Sequence, residues 1–209
     1  LEVDYKQTFG TYLTFKEKQW DINLGIYAQT GESADKNVNA WYAGAYFGYA
    51  ASKEFKVGLG HEYLSGKDQN DFTSDNKSFT PLFGTNHGFN GLMDYFYVGN
   101  HQNNVGLNDT YLKLNYTSTK WQFALIPHVF NAPNTVLDAT SQKMDAYLGT
   151  EIDLTATYTI RKDIVAMAGY SQMFGSSTLE RVKNVTNAAD TNNWVWVMVS
   201  FSPRIFTSK

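Results

Sequence analysis

A strict alternation of apolar and polar side chains runs through residues 144–160, MDAYLGTEIDLTATYTI. The even-numbered positions, from Met144 to Ile160, are almost all apolar. The odd-numbered positions, among them Glu151 and Asp153, carry acids, threonines, a glycine and a tyrosine. Because successive side chains of a strand point to opposite sides, the pattern predicts one long strand between an apolar and a polar medium. The stretch exceeds the roughly 9–11 residues that a tilted strand needs to cross a bilayer.

The same alternation recurs along the rest of the chain and predicts nine strands. They cover residues 2–16, 20–30, 37–51, 55–65, 105–117, 121–130, 144–160, 164–174 and 193–202, and the facing of the eighth is ambiguous. Short connections lie near residues 17–19, 52–54, 118–120 and 161–163, and longer ones at 31–36, 68–104, 131–143 and 175–192. Short turns at one end and long loops at the other are typical of outer-membrane barrels, and also suit a soluble up-and-down barrel. We predict one all-β domain, residues 1–209, folded as an antiparallel transmembrane up-and-down β-barrel.

Composition favours the membrane barrel over the soluble one. Charged residues make up 18% of the chain and aromatic residues 16%, while the mean hydropathy is only −0.39 and no apolar run is long enough for a transmembrane helix. A wet lumen on one side of each strand accounts for such a profile. Aromatic residues also stand near predicted strand ends, at Trp20, Trp41, Trp121, Tyr158 and Trp194. A net charge of −3 argues against nucleic-acid binding, and the absence of cysteine excludes disulfides and thiolate metal sites.

The predicted strand number is odd, whereas bacterial single-chain barrels normally have an even number. With nine strands, the two ends of this sequence would lie on opposite sides of the membrane. We interpret the sequence as lacking upstream strands, or as containing a strand that the alternation does not reveal.

The stretch that begins at Pro81, PLFGTNHGFNGLMDYFYVGNHQNNVGLNDTYLKLNY, resembles the alginate-export family of outer-membrane porins in the form found in Bacteroidota-type bacteria. The ending WVWVMVSFSPRIF is similar to the last strand of that family. The resemblance covers most of the chain and is most specific between Pro81 and Tyr116. It implies an antiparallel barrel of about eighteen strands, of which this chain would be the C-terminal half.

The family name implies an anionic polysaccharide that passes through an arginine-rich lumen. This sequence contains only three arginines, Arg161, Arg181 and Arg204, all near turns or ends. Acids on the polar side of the seventh strand would repel a polyuronate, although a missing half could supply the basic side. The residues therefore predict a porin without assigning alginate as its cargo.

Polar residues on the presumed inner side of the strands are candidates for lining the lumen, where their size and charge would select solutes. These residues are Lys6, Lys16, Asp21, Asn23, Lys56, Glu62, Asp109, Lys113, Asn115, Asp145, Glu151 and Asp153. The alternative is a cross-strand ladder of salt bridges that stiffens the wall. In a soluble barrel, the same residues would form a solvated face.

The 68–104 loop is far longer than ordinary connections and is expected to fold into the lumen or to serve the function. Candidate constriction residues in it are His87, Asn90, Asp94, His101 and Asn103. The favoured alternative is a structural plug packed by the aromatic and apolar residues of the loop, which would also gate the pore. Oxygen-bearing residues from Asp68 to Asn76 make calcium conceivable, but their spacing does not match an EF-hand loop, and a solvated acidic loop is favoured.

The sequence predicts a transport protein and not an enzyme. Its four histidines show no metal spacing, and no nucleophile elbow or phosphate-binding glycine loop is present. Glu151 and Asp153 could suggest acid–base catalysis, but nothing supplies a nucleophile and base. We predict an outer-membrane channel for hydrophilic or saccharide solutes, without a cofactor and in contact with outer-membrane lipid. The alternatives are a soluble ligand-binding barrel and a structural barrel that binds protein partners in an outer-membrane assembly.

Overall fold

The fold is a single antiparallel sheet in which each strand pairs with its neighbours in the sequence. The computed structural model describes residues 4–81, 90–96, 101, 104–189, 191–204 and 206. The strands are β1 (Lys6–Glu17), β2 (Trp20–Ser33), β3 (Lys36–Ala50), β4 (Phe55–Leu64), β5 (Leu107–Thr117), β6 (Trp121–Asn131), β7 (Tyr147–Arg161), β8 (Ile164–Gly175) and β9 (Thr191–Phe201). A short helix, α1 (Ser177–Lys183), lies between β8 and β9. The predicted all-β, antiparallel, up-and-down arrangement of nine strands is confirmed.

The seventh strand begins later than the alternation predicts. Residues 144–146 belong to the preceding connection, where the Met144 amide donates to the Val136 carbonyl at 2.9 Å. Leu137 and Lys143 form an isolated bridge in the same connection. The apolar and polar alternation continues through this segment, but its backbone groups bond to Ala132 and Val136 of the same connection and to Thr178 of α1. Asp145, predicted to lie on the strand, is therefore exposed just before β7.

The predicted loop at residues 31–36 is in fact the tip of a hairpin. β2 continues to Ser33 and β3 begins at Lys36, and these two residues pair with each other. Ala34 and Asp35 make the turn with φ angles of 52° and 57°. Two successive positive φ angles are the mark of a type I′ turn, whose twist matches that of the strands. The sequence did not predict this turn because it lacks the usual Asn-Gly pair.

The segment at residues 175–192, predicted as a polar loop, contains helix α1. Ser176 caps its start, because the Ser176 hydroxyl accepts a hydrogen bond from the Leu179 amide at 3.2 Å. Asn184 ends it in the left-handed conformation. Leu179 and Val182 are buried on the side of the helix that faces the sheet. No helix in the described part of the chain is long and apolar enough to cross a membrane.

The two faces of the sheet differ sharply in character. On the apolar face, large side chains are exposed along the strands, including Phe9 (60%), Leu59 (55%) and Val197 (77%). On the polar face, acids are buried, including Glu151 (0%) and Asp153 (1%). This is the reverse of an ordinary soluble sheet, where apolar side chains turn inward. The register also settles the facing of β8, which pairs residue 171 with residue 153 and so places Ser171 on the polar face.

The hydrophobic core lies between the polar face and the connections that fold over one end of it. Its members come from strands, loops and helix α1 together. They are Val38, Ala40, Leu64, Phe79, Phe96, Val105, Leu107, Phe130, Ala132, Val136, Leu148, Met173, Leu179 and Val182. We call this end of the sheet the loop end, and the opposite end, with its short connections, the turn end.

Strands β1 and β9 are the edges of the sheet. In the described residues, β1 is hydrogen-bonded to β2 and β9 to β8, and no ladder joins β1 to β9. Unpaired edge strands present free backbone donors and acceptors, which are costly inside a membrane, so this cost favours closure. Because no ladder joins β1 to β9 in the described residues, closure of the sheet into a barrel stays a prediction.

Candidate functional site on the polar face

The register brings the predicted lumen-lining residues to one face. Lys16 pairs with Asp21, Glu62 with Asp109, and Lys56 with Asn115. Lys6, Asn23, Lys113, Glu151 and Asp153 share the polar face with them by the same pairing. Asp145 is the exception, because it lies outside the strand. That these residues line a lumen stays a prediction.

At the loop end, the long connection between β4 and β5 covers the polar face. We call its described residues, 65–81, 90–96, 101 and 104–106, the cover. Near the β1 edge of the sheet, the Gln29 side chain of β2 binds the cover through both its amide nitrogen and its amide oxygen. Its Nε2 donates to the Thr80 carbonyl at 2.6 Å, and its Oε1 accepts from the Thr80 amide at 3.0 Å. Asn76 pairs its backbone with Asn37 and Asn39 beside the start of β3.

The cover is also anchored nearer the β9 edge of the sheet, on the same polar face, by two acids of β7. The Leu92 amide donates to Asp153 Oδ2 at 3.1 Å, and the Met93 amide donates to Glu151 Oε1 at 2.8 Å. Gly91 has a φ of +92°, and a Cβ there would lie 2.6 Å from Glu151 Oε1. Glycine at this position therefore allows both the turn and the close approach of the carboxylate.

A cluster of acids, buried except for the half-buried Glu62, lies beneath the cover between these two anchors. Asn90 Nδ2 donates to Glu62 Oε2 at 3.0 Å and to Asp109 Oδ2 at 3.1 Å. The His128 ring lies between two carboxylates, with Nδ1 2.9 Å from Asp109 and Nε2 3.8 Å from Asp153. Burial of several carboxylates is costly unless hydrogen bonds compensate it. The cover amides and Asn90 donate such hydrogen bonds, and the His128 ring adds a polar contact to Asp109.

One carboxylate oxygen in this cluster differs from the others in its hydrogen bonding. Glu151 Oε2 is buried and has no hydrogen-bond donor among the residues that the structure describes. Its neighbour Asp153 accepts hydrogen bonds from the Ser171 hydroxyl and from the Leu92 amide. The two β7 acids are therefore satisfied to different degrees, although they lie two residues apart on the same face.

Of the predicted constriction residues, Asn90 and His101 are buried in the cover, and Asp94 is half-buried with a φ of 58°. His87 and Asn103 lie outside the described residues. The His101 Nε2 lies 2.9 Å from the Gly106 carbonyl oxygen. Burial, together with the nearby Lys183 charge, lowers the pKa of His101 to about 4. His101 is therefore a neutral packing residue at neutral pH.

Aromatic side chains pack against one another inside the cover. The Phe96 ring lies 4.5 Å from the Phe130 ring and 5.2 Å from the His101 ring, measured between centroids. Lys183 of α1 donates to the Tyr95 carbonyl and stands 5.2 Å from the centre of the Phe96 ring. Burial lowers the pKa of Lys183 to about 8. That the loop acts as a structural plug stays a prediction.

The oxygen-rich stretch from Asp68 to Asn76 uses its acids separately. Asp71 pairs with Lys77 at 2.7 Å, which holds the pKa of Asp71 below its usual range. Asp68 accepts a hydrogen bond from the Thr135 amide at 2.6 Å. These contacts tie the loop to its surroundings. Three exposed carboxylates do meet elsewhere, at Asp4, Glu32 and Asp35, and such clusters are common on protein surfaces without an ion.

Between the cover and the turn end, the polar face carries tyrosines over glycines, which the sequence analysis did not predict. The Tyr46 ring lies over Gly58 of β4, and the Tyr111 ring lies over Gly60. Tyr42 lies over Gly44 in the same way. The alternation of tyrosine and glycine in β3, YAGAYFGY, was the available signal. The partners across β4 depend on register and could not be read from the sequence.

A cavity of about 330 Å³ opens beside these rings. Its walls include Tyr12, Tyr42, Tyr46 and Tyr111 together with Asp21, Asn23, Glu62 and Lys113. Lys16 and Asp21 form an ion pair of 3.5 Å at its rim, with 67% and 42% of their side chains exposed. Beyond the cover, toward the turn end, the polar face is therefore open to solvent.

Aromatic side chains gather on the apolar face at two levels. Three cross-strand ring pairs lie at the turn end: Trp20 with Tyr49 (4.9 Å), Phe55 with Tyr116 (6.3 Å) and Trp121 with Tyr158 (4.6 Å). Nearer the loop end, Trp41 stacks on Tyr63 at 4.2 Å. Trp194, predicted as a strand-end aromatic, pairs with Ser171 and so belongs to the polar face.

No protein-family model matches the sequence, and no curated protein matches it. Among solved structures, the chain is similar to one described as the NanC porin in a rhombohedral crystal form. The identity is 14%, the likeness covers 95% of this chain and 79% of that porin, and the TM-score is 0.53. The likeness shows a porin-like antiparallel fold, and membership of the alginate-export family stays a prediction.

Proposed function

We propose that this chain forms the wall of a porin-like channel in a bacterial outer membrane, through which hydrophilic solutes diffuse. The exposed apolar face carries the proposal. Strands of 10 to 15 residues present this face, which is long enough to cross a bilayer when tilted. Burying such a surface in lipid removes large apolar side chains from water, which is favourable by roughly 25 cal/mol per Å².

The aromatic levels on the apolar face support a membrane setting. Trp41 and Tyr49 stand eight positions apart on one face of β3, which corresponds to about 26 Å along the strand before any tilt. Outer-membrane barrels carry aromatic girdles at both edges of an apolar band about 25 Å tall. Tyrosine and tryptophan suit the edges because each has an apolar ring and a polar atom.

The polar face supports a channel without a chemical step. Its charged residues could set the field that a solute meets, and the cover could narrow the passage at the loop end. This arrangement agrees with the porin-like fold of the structural neighbour. The finer predictions belong to the proposal too: outer-membrane lipid as the surroundings, and a place in the alginate-export family.

A soluble ligand-binding barrel is less well supported. Such a barrel turns its apolar face inward and its charged face outward. Here Phe47, Leu59 and Val197 are exposed, while Asp109 is buried on the opposite face. A structural barrel in a larger assembly would share the apolar face, and only its conductance and its partners would differ.

Conductance of the purified chain in planar bilayers tests the proposal. We expect ohmic current steps, and replacement of lysines on the polar face should change ion selectivity. The variant Lys56→Glu with Lys113→Glu should shift the reversal potential toward cations, whereas Lys56→Gln with Lys113→Gln should shift it less. A folded, membrane-inserted chain that conducts no current would contradict the proposal. Co-purification of a partner with such a silent barrel would favour the structural alternative.

A further inference from the structure

The tyrosines between the cover and the turn end form an aromatic surface on the polar face. Tyr46 of β3 and Tyr111 of β5 lean toward each other above β4, where the facing residues are Gly58 and Gly60. Their ring centroids are 6.4 Å apart and their planes differ by only 15°. With glycine beneath them, both rings lie down on the sheet instead of standing up from it. We call Tyr12, Tyr42, Tyr46 and Tyr111 the tyrosine platform.

The rings of Tyr46 and Tyr111 have one covered side and one open side. Gly58 and Gly60 beneath them are buried, while Tyr46 and Tyr111 themselves stay partly exposed. Shielding of strand glycines by neighbouring rings stabilises a sheet and accounts for the covered side. It does not account for the polar groups that surround the open side.

Hydrogen-bonding groups of several kinds meet at the platform. The cavity above it is lined by Asp21, Asn23, Glu62 and Lys113 as well as by the rings. Tyr42 and Glu62 lie side by side in this cavity, and Asn23 Nδ2 donates to Asp21 at 3.2 Å. Binding sites for small molecules combine an aromatic surface with a few such placed polar groups.

The charges at the platform are mixed in sign. Lys16 is paired with Asp21, and Lys113 stands in the same cavity as Glu62. A surface of this kind creates no strong field of either sign, so it does not select an ion by attraction. It suits a neutral ligand that offers flat apolar faces and many hydroxyl groups.

Resting on the proposed channel function, we propose that the tyrosine platform binds neutral pyranose oligosaccharides. The C–H faces of the sugar rings lie on Tyr46 and Tyr111, because the face of an aromatic ring is negative and attracts polarised C–H groups. The hydroxyls at the ring edges bond to Asn23, Glu62 and Lys113. The platform thus gives the channel an affinity for sugars over other solutes of equal size.

Calorimetric titration with maltohexaose tests the proposal on the full chain folded in detergent. We expect saturable binding to the unaltered chain and no saturation with polyethylene glycol of similar mass. Tyr46→Ala and Tyr111→Ala should each weaken binding by about 3- to 10-fold. Tyr46→Phe should stay within about twofold of the unaltered chain, since the ring face remains. Tyr116→Ala, on the apolar face, should leave binding unchanged.

A further variant separates ring position from ring loss. Gly60→Val keeps every tyrosine but lifts the Tyr111 ring from the sheet, and should also weaken binding, with the strand content checked by circular dichroism. Unaltered affinity in Tyr46→Ala and Tyr111→Ala, or no saturation with maltohexaose, would overturn the proposal. Tighter binding of an oligouronate of equal length would overturn the neutral-sugar assignment. Conductance is measured separately, so a conducting chain that binds no sugar refutes the platform alone, and a silent chain refutes the channel.

Discussion

The loop end and the turn end of the polar face are built on the same strands but differ in what lies above them. At the loop end, the cover reduces the exposure of Glu151 and Asp153 to 1% or less. At the turn end, Lys16 and Asp21 keep 67% and 42% of their side chains exposed. The acids at the loop end are bound by backbone amides of the cover, whereas the charges at the turn end pair with each other.

The difference teaches that strand alternation alone does not decide the environment of a polar side chain. Glu151 and Thr155 are equivalent in the pattern of β7, yet only Glu151 meets the cover. A buried carboxylate is tolerated where amides reach it, as the Met93 amide does. We therefore expect substitutions at the loop end to disturb the fold, and those at the turn end to change what the surface binds.

The largest effect is expected from removing both anchors of the cover. The double variant Glu151→Ala with Asp153→Ala leaves the amides of Leu92 and Met93 without their acceptors. Each lost charged hydrogen bond costs about 1.5–3 kcal/mol, so opening of the cover should become easier by about 3–6 kcal/mol. Hydrogen exchange of these two amides measures the change. Asp21→Ala is the matched control, and equal protection in both variants would contradict the anchoring role.

A single substitution at the same site tests whether the negative charge of Glu151 is needed. Glu151→Gln keeps an acceptor for the Met93 amide and adds an N–H donor that faces the β7 acid Asp153. Because Glu151 Oε2 lacks a donor in the described residues, the amide should be tolerated. Amide exchange of Met93 should therefore stay at or below the rate of the unaltered chain. Faster exchange, close to that of the double variant, would show that the negative charge itself is needed.

A slightly smaller effect is expected from the core beneath the cover. Phe96→Ala removes a ring that is 3% exposed and packs on Phe130. The lost packing and the cavity should cost about 3–5 kcal/mol of unfolding free energy. Tyr46→Ala at the turn end should cost about 1–2 kcal/mol, because this ring is only partly buried. Denaturant unfolding in detergent measures both, and a larger loss at Tyr46 would reverse the comparison.

The pH dependence of stability should also distinguish the two ends. The pKa of His101 is about 4 in the folded protein, below its ordinary value near 6.5. Between these values the unfolded chain binds more protons, so stability falls as the pH falls from about 6.5 to about 4. The loss should reach up to about 3 kcal/mol. His101→Gln should remove this part of the pH dependence, and an unchanged profile would contradict it.

The smallest effect is expected at the hairpin tip that the cover does not reach. Ala34 and Asp35 both have positive φ angles, which asparagine and glycine adopt at lower cost. Ala34→Asn with Asp35→Gly should raise the unfolding free energy by about 1 kcal/mol or less. Lys162→Gly, in the turn between β7 and β8, should give no gain, because Lys162 has an ordinary negative φ. Thermal unfolding in detergent compares the two variants.

The strands could be predicted because each has one apolar and one polar side. That pattern is local, so β2 and β7 are visible without any knowledge of their neighbours. The hairpin tip at Ala34 and helix α1 were missed because their signals are weak. Neither residue of the turn is glycine or asparagine, and α1 is short, although Ser176 and the spacing of Leu179 and Val182 mark it.

The cover and the platform depend on contacts between distant residues, and alternation does not report these. Gln29 binds Thr80 across 51 positions, and the Met93 amide reaches Glu151 across 58. The loop length predicted that the loop would fold inward, but not which acids would hold it. The Tyr46 ring reaches Gly58 only because the register of β3 and β4 pairs Tyr46 with Gly60 and leaves Gly58 diagonally opposite, and register follows from the whole sheet.

The central claim is that the apolar face meets lipid and the polar face meets water. The chain has no cysteine, so single cysteines can be introduced cleanly along β7. Spin labels at Leu154→Cys, Thr155→Cys, Ala156→Cys and Thr157→Cys in lipid vesicles would report access to oxygen and to a water-soluble nickel complex. We predict oxygen access at 154 and 156, and nickel access at 155 and 157. Uniform access along the strand, or the opposite alternation, would contradict a membrane-spanning channel wall.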